Sequence, residues 1–537
     1  MKILWLHQYF ATPRGWGAVR THAFARRFVQ AGHAVDVVCC AGYDDSLRPT
    51  GHEPAVIDGV RVFVSGTAYR PHMGFLRRIV SFLSFMAHAL WFVIRRGGGY
   101  DVMIASSGPL TLAVPALIGR WFRGLPYVFE VIDVWPDSAI AAGVLKNPML
   151  KWLSFRLEAL AYRYAAAIVT CSTGMTERVE KKLGVRSEEL GVGDGGKKSA
   201  LVGEGVSALA GREGGGLRSE DGGRNSKVRK CESSKVVTIS NCCDLGEFVP
   251  DGARREEIRA RYGVREDQTV VLYTGAMGLS NAVGDLVEAV RSTAGDERIV
   301  WWFAGGGPRS ALLRYCVSSL VGRGEVLKFG SSKVRESETA NVEFSRQDAK
   351  ALEPLNEREA RLNPGTLEPA PQARLNPVEP LNQAAGRLNL DPLEPAPQPR
   401  FFGSLPKVEL IGLYLAADVN VVTFMHAPLF YENSPNKFFD GIAAGLPAVF
   451  NRSTWLEPWL KEYDCGVISE GSASGMSMAD AIRALADHPE RRKRMGRSAR
   501  RLAEEVFDRD KLAATYLEIL WKSCENEPGF PAKTGIK

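Results

Sequence analysis

The chain has few of the residues by which enzymes most often announce their chemistry. Its nine cysteines form no CxxC pair, and neither Cys39–Cys40 nor Cys242–Cys243 has His or Asp partners at ligand spacing. That argues against a zinc site and for reduced, structural thiols in a cytoplasmic protein. No run reaches eighteen apolar residues, the length expected of a membrane-spanning helix. The nearest is IVSFLSFMAHALWFVI, Ile79–Ile94, set between Arg77–Arg78 and Arg95–Arg96. It reads either as a buried helix of an α/β domain or as an interfacial helix whose arginines meet acidic lipid. The opening MKILWLHQYF has one Lys and no small-residue cleavage site, so a first β-strand is expected rather than a signal peptide. A formal charge of +7 over 537 residues is modest and scattered. It gives no basic stripe for nucleic acid and leaves anionic substrates or an acidic membrane surface as partners.

What the chain does have is a 45% hydrophobic composition arranged as short β-rich runs alternating with helical ones. KILWLHQYF, AVDVVCC, DVMIASS, PYVFEVIDV and AAIVTCS punctuate the first half; TVVLYTGA, RIVWWFAGG, VNVVTFM and PAVFN punctuate the second. Helices are expected between them, among them Val19–Ala31, Leu110–Trp121, Pro148–Ala165, Val283–Ser292, Ser310–Leu320 and Pro435–Ala444. Such alternation means parallel βαβ units. The predicted fold is therefore α/β, with two Rossmann-like, doubly wound domains facing across a cleft. The first domain is assigned to 1–187 and completed, with the interdomain link, by 234–250. The second takes 251–342 and 401–477, with C-terminal helices over 478–522 and a tail over 523–537. Two segments fit neither domain. Residues 188–233 are rich in Gly, Ser, Lys and Glu, and 343–400 carry a degenerate repeat (LEPLNEREARLNP, LEPAPQARLNP) with a Pro every few residues. Both read as insertions without a catalytic role, the second disordered or extended, with a protein-docking arm as the alternative.

In parallel sheets ligands bind beyond the carboxyl ends of the strands, and four loops there are candidates. After the first strand, Gly15 and Gly17 permit a close turn. Asp133-Val-Trp-Pro-Asp137 places Asp133, Trp135 and Asp137 at the end of PYVFEVI, either as a helix cap with a core Trp or as a sugar-facing carboxylate and indole. Gly275 and Gly278, with Gly305, Gly306 and Gly307, close two strands of the second domain and admit either a diphosphate near backbone N–H groups or merely a tight turn. The fourth loop runs from Glu432 through Ser434, Pro435, Asn436 and Lys437 to Asp440. A helix beginning near Pro435, capped by Ser434 or Asn433, directs free N–H groups toward an anion, and Lys437 adds a positive charge.

Taken together these stretches resemble the retaining, GT-B-fold glycosyltransferases of the family-4-like group that builds bacterial lipopolysaccharide, O-antigen or exopolysaccharide. The resemblance is carried by the glycine loop 13–17, FEVIDVWPDSA (129–139), AAAIVTCSTGMTERV (165–179), VVTISNCCDLGEF (236–248), VLYTGAMG (271–278), FAGGGP (303–308) and ENSPNKFFDGIAAGLPAV (432–449). It implies an enzyme moving a sugar from a nucleotide-diphosphate sugar to a glycan or lipid-linked glycan, with retention and without metal or other cofactor. It further implies a cytoplasmic location, peripheral at the inner face of the plasma membrane. Glu432 then faces the donor sugar or its leaving side, Asp440 the ribose, and Lys437 with the amides of 434–437 the diphosphate. Asp133 orients the acceptor. Four positions depart from the pattern: Asp440 is a methylene short of Glu, Asn281 stands where a basic pair is usual, Ile132 replaces His or Arg, and Asn241-Cys242-Cys243-Asp244 replaces Asn-Gly-Val-Asp. The competing readings are a nucleotide-sugar epimerase of the same fold and a weakly active or non-catalytic membrane-associated homologue.

Overall fold

The computed structural model describes the chain except for Trp16, His52, Ala68, 70–72, Ala142, 185–234, 321–398, 470–475 and 526–537. The Gly/Ser-rich segment and all of the Pro-rich repeat up to residue 398 lie outside the described residues.

The first half follows β1 (Lys2–Leu6), α1 (Arg20–Gln30), β2 (Ala34–Cys40), β3 (Ala55–Ile57), β4 (Val60–Ser65), α2 (Phe75–Arg96), β5 (Val102–Ser106) and α3 (Ala113–Arg123). It continues with β6 (Tyr127–Val131), α4 (Asp137–Ala141), α5 (Pro148–Tyr164), β7 (Ala167–Thr170), α6 (Thr173–Leu183) and β8 (Val236–Thr238). The strands make one sheet in the order β3-β4-β2-β1-β5-β6-β7-β8, parallel except for the β3–β4 pair. The second half follows α7 (Gly252–Arg261), β9 (Thr269–Thr274), α8 (Val283–Thr293), β10 (Ile299–Ala304), α9 (Ser310–Leu320), β11 (Arg400–Gly403) and α10 (Lys407–Ala416). Then come β12 (Val419–Val422), α11 (Asn436–Ala443), β13 (Ala448–Phe450), α12 (Glu457–Tyr463), β14 (Gly466–Ile468), α13 (Met478–Asp487), α14 (Pro489–Glu505) and α15 (Arg509–Glu525). Its sheet, β11-β10-β9-β12-β13-β14, is parallel throughout. This is the expected pair of Rossmann-like sheets in the GT-B arrangement.

The central strands read as unbroken apolar runs because both faces of each sheet are covered. On one face of the first sheet Leu4, Met103 and Phe129 pack with Phe85, Ala116 and Tyr162 from α2, α3 and α5. On the other, Ile3 and Trp5 pack with Phe24 and Phe28 of α1 and with Tyr516 of α15. The last helix thus returns to cover the first domain. The sequence reading passed over the β3–β4 hairpin, whose Asp58–Gly59 turn has φ of 49° and 79°. It also passed over β11, which begins at the residue assigned as the last of the Pro-rich insertion. The described cysteines are buried free thiols, as expected.

One buried charge ties this framework together. Arg20 on α1 donates from Nε to Glu130 Oε1 at 2.9 Å, from Nη2 to the Ile239 carbonyl at 2.8 Å and from Nη1 to the Ser240 carbonyl at 2.6 Å. Its Nη1 also reaches Asn241 Oδ1 at 3.3 Å. Glu130 is closed on its other oxygen by Ser106 Oγ, 2.7 Å away, which itself accepts the Trp5 indole N–H at 3.0 Å. Both ends of the ion pair are almost fully buried, at 4% and 0% exposure. Removing one end leaves an uncompensated charge, whereas removing both does not. Arg20→Met should therefore lower unfolding stability by about 3–5 kcal/mol, with Arg20→Met/Glu130→Gln recovering much of it, as read from denaturant midpoints.

Candidate functional site

The carboxyl ends of β9, β10 and β12 carry loops that interlock before any ligand is considered. Gly275, Gly305 and Gly307 have φ of 96°, 145° and 138°. A Cβ on Gly305 would overlap the Gly275 carbonyl oxygen, and one on Gly307 would sit 2.7 Å from the Met277 oxygen. Backbone bonds join the two loops, Gly275 N–H to the Ala304 carbonyl and Met277 N–H to the Gly306 carbonyl, both at 2.8 Å. These glycines are required by loop-on-loop packing, with Gly306 facing Ser404 Oγ. At Gly278, by contrast, a Cβ would meet nothing within 4 Å. The interlocked surface faces Lys437, whose Cε would lie 3.5 Å from a Cβ on Gly275.

The helix start differs from the sequence expectation. Its N-cap is Pro435, with no side-chain cap. Ser434 Oγ instead accepts the Asn241 N–H at 3.2 Å, and Asn241 Nδ2 donates to the Ser434 carbonyl at 2.6 Å. The Asn433 carbonyl takes the Trp455 indole N–H at 2.9 Å. Ser434, one of the two candidate caps, is thus held by a long-range bond, and the first turn of α11 has no side-chain cap, its Phe438 N–H donating to the Pro435 carbonyl at 3.0 Å. Lys437 lies on that turn. Its Nζ is 3.3 Å from Asn281 Oδ1 and 3.9 Å above the Tyr273 ring centre. Burial lowers its pKa to about 7. Asn281, named as a substitute for the missing basic pair, therefore acts on the lysine itself.

The two acids diverge. Glu432 ends a short 3-10 turn over Pro428–Glu432 and is gripped bidentately by Arg178 of α6, with Nε to Oε2 at 2.8 Å and Nη2 to Oε1. Gly174 on the same helix admits this approach, since a Cβ there would lie 2.8 Å from Glu432 Cγ. Asp440 is buried and paired through Oδ1 with Lys407 of α10. The shorter acid is thus reached by a lysine from a neighbouring helix.

On the opposite wall, Gly15 and Gly17 pack closely on residues 43–44, where added Cβ atoms would lie 2.7 Å from the Tyr43 oxygen and the Tyr43 Cβ. Their small size serves that contact. Asp133 reaches solvent from within closely packed surroundings, and the partial loss of hydration there raises its carboxyl pKa. Trp135 packs at the edge of the core beneath it. Asp137 starts α4 and pairs with Lys182.

Sequence reasoning did not single out Arg178, although it lies in a quoted motif, because its partner is 254 residues away. It also missed a cluster beside the Asn281 loop, in which Asp285 accepts from Asn451 Nδ2 at 2.6 Å and faces His426 Nε2 at 3.1 Å. No local pattern marks either. Among the described residues no group of three or more His, Cys, Asp or Glu is placed to hold a metal ion.

This architecture is that of the GT-B proteins, and the comparisons agree on the fold. The chain is similar over 97% of its length to 99% of Anabaena Alr3699/HepE, solved with UDP and glucose, at 13% identity and a TM-score of 0.54. It is similar to sucrose-phosphate synthase from Thermosynechococcus elongatus at 12% identity and a TM-score of 0.55, covering 96% and 98% of the two chains. WaaG, a glycosyltransferase involved in lipopolysaccharide biosynthesis, follows at 13% identity and 0.52, covering 97% and 99%. Residues 17–192 match the family model of a glycosyl transferase 4-like domain. Among curated protein sequences none matches. The chain thus has the GT-B fold, and its residues 17–192 are similar to a glycosyl transferase 4-like domain.

A buried amine without a carboxylate facing it costs stability. Lys437→Met should raise unfolding stability by about 1–2 kcal/mol in the ligand-free protein. The sign with pH follows from the lowered pKa. Below pH 7 the amine is charged in both folded and unfolded states, and the full penalty is present. As pH rises from 7 toward 10.5 the folded protein sheds the proton first, so wild type gains and the advantage of Met narrows. Denaturant unfolding at pH 6 and pH 9 measures both.

Proposed function

We propose that this protein is a retaining glycosyltransferase that moves a sugar from a nucleotide-diphosphate sugar to a glycan or lipid-linked glycan without a metal ion. The observation carrying this reading is Lys437, a buried cation on an uncapped helix turn whose described side-chain contacts are an amide oxygen and a tyrosine ring. Such a group is stable where an anion completes it. A diphosphate against Lys437 Nζ and the first-turn N–H groups of α11 supplies two negative charges to the site. The nucleoside then extends past the open Gly278, toward Asp440, whose Oδ2 is left by Lys407 for ribose hydroxyls. Glu432 lies eight residues before Asp440 in the chain and faces the sugar.

In the reaction the bond from the anomeric carbon to the β-phosphate oxygen breaks, and one to the acceptor oxygen forms on the same face. The acceptor proton leaves with the departing diphosphate. Lys437 and the helix N–H groups stabilise the charge that grows on the leaving oxygen. Asp133, with its raised pKa, orients the acceptor hydroxyl from the opposite wall. The relatives bound to UDP and UDP-glucose support a nucleotide-sugar donor. The working place is the cytoplasm, peripheral to the inner face of the membrane that holds a lipid-linked acceptor.

Screening UDP-, GDP-, dTDP- and ADP-sugars by heat stabilisation should give a shift for one nucleotide class, equivalent to about 2.7 kcal/mol at a hundredfold excess over Kd. Lys437→Met should weaken binding about tenfold to a hundredfold, and Glu432→Gln should abolish transfer more than binding. With the matching acceptor, NMR of the product should show the donor's anomeric configuration. An epimerised nucleotide sugar formed without acceptor would replace this reading with the epimerase, and no shift with any donor would leave a non-catalytic homologue. Binding also carries a pH signature. With a nucleotide sugar, whose diphosphate does not itself titrate near neutrality, calorimetry in buffers of different ionisation enthalpy should show uptake approaching one proton at about pH 8 and little at about pH 6. Lys437→Arg, always charged, should show none.

A further inference from the structure

We propose that Arg178, on α6 of the first domain, is the positioning residue for Glu432 of the second, so that the sugar end of the donor site is complete only while the two domains are clasped. The proposal rests on the transferase reading, which gives Glu432 to the donor sugar and Asp440 to the ribose. The two acids differ in what holds them. Asp440 is paired with Lys407 of α10, inside its own domain. Glu432 has both carboxylate oxygens on one guanidinium from across the cleft, with Nε to Oε2 at 2.8 Å and Nη2 to Oε1. The grip on the nucleoside is thus self-contained, and the grip on the sugar is shared between domains.

Helix α6 fixes the Glu432 side chain at two levels. Arg178 takes the head through a planar fork, which sets direction as well as distance. One turn earlier Gly174 meets the stem: a Cβ there would lie 2.8 Å from Glu432 Cγ and 3.2 Å from its Cβ. One turn later, on the same face, Lys182 is bound to Asp137 and, at 2.6 Å, to Glu158. Residues 174, 178 and 182 therefore make a single edge that runs from the Glu432 loop to the start of α4, where the turn from Asp133 ends.

The helix itself is firmly seated. Ser172 Oγ accepts the Met175 N–H at 3.1 Å, Met175 and Val179 belong to the core of the first sheet, and Thr176 Oγ1 lies 2.6 Å from Thr238 Oγ1 on β8. The loop is tied again two residues on, where Ser434 meets Asn241. An anchored helix and a tethered loop hold the Glu432 carboxylate in one place. The pairing does not use the acid up. A carboxylate offers about four acceptor sites and the fork takes two, which leaves the others for hydroxyls of a bound sugar.

The test is calorimetric titration of the full chain with UDP-, GDP-, dTDP- and ADP-glucose and with the matching bare diphosphates. Wild type should bind one pair, and the ratio of the two affinities reads the sugar contact apart from the nucleotide contact. Arg178→Met and Glu432→Gln should each shift that ratio against the sugar form by about tenfold, while moving bare-diphosphate affinity less than about twofold. The double variant should lose no more than either single one. Arg178→Lys, a point charge without the fork, should fall between wild type and Arg178→Met. Gly174→Ala, which keeps the ion pair's chemistry and crowds the stem, should lower the ratio as well. Equal weakening of sugar and bare forms in Arg178→Met would mark a merely structural role and overturn the proposal. A ratio moved by Glu432→Gln but not by Arg178→Met, or losses that add in the double variant, would also overturn it while leaving the transferase reading intact. A ratio unmoved by Glu432→Gln, or no binding of any probe, would overturn that reading of the site and the proposal with it.

Discussion

The buried guanidinium of Arg20 is the constraint on which the rest of this molecule depends. It cannot be hydrated, so it must be met by Glu130 and by oxygens of the segment joining the two domains. That requirement fixes residues 239–241 against the first sheet. Asn241 then carries the constraint across, because the same side chain that accepts from Arg20 donates to the Ser434 carbonyl at the head of α11. The loop that leads into the proposed diphosphate site is thereby referenced to the first domain. A second buried cluster does the same further along. Burial opposes the ionisation of Asp244, yet Arg509 of α15 and Arg27 of α1, both at 2.9 Å, outweigh it and keep its pKa below the ordinary value. The C-terminal helix is thus pinned to the first domain by charge as well as by Tyr516 in its core.

Against this well-satisfied framework, Lys437 stands out as a charge left incomplete. Arg20 and Asp244 have partners of opposite sign; Lys437 has an amide oxygen and an aromatic face. Natural cores tolerate such groups where a ligand supplies the missing charge, and stability is lost there in exchange for binding. The nearby glycines sharpen the point. Gly275, Gly305 and Gly307 let two loops interlock beside Lys437, whose ammonium lies over the Tyr273 ring and against Asn281.

The alternation of strand and helix was legible in the sequence because strands covered on both faces have nowhere to place polar residues. The β3–β4 hairpin and β11 were not, being short and lying outside the strongest apolar runs. Among the site residues, Lys437 and the glycine loops were visible by type and spacing, but the reason for the glycines was not. Spacing suggested close approach of a ligand, and packing shows close approach of one loop to another. Ser434 obeys the local rule for a helix cap and is diverted by Asn241, a contact between residues 193 apart. Arg178 and Glu432 meet only because two domains fold against each other, which no local window contains.

The central claim is that the uncapped turn of α11 and Lys437 form a diphosphate site referenced to both domains. A crystal structure with a bound nucleotide sugar tests it most directly. The account predicts the β-phosphate within hydrogen-bonding distance of Lys437 Nζ and of the first-turn N–H groups of α11, with the sugar directed toward Glu432. A nucleotide held elsewhere, or phosphates that leave Lys437 without a contact, would contradict it.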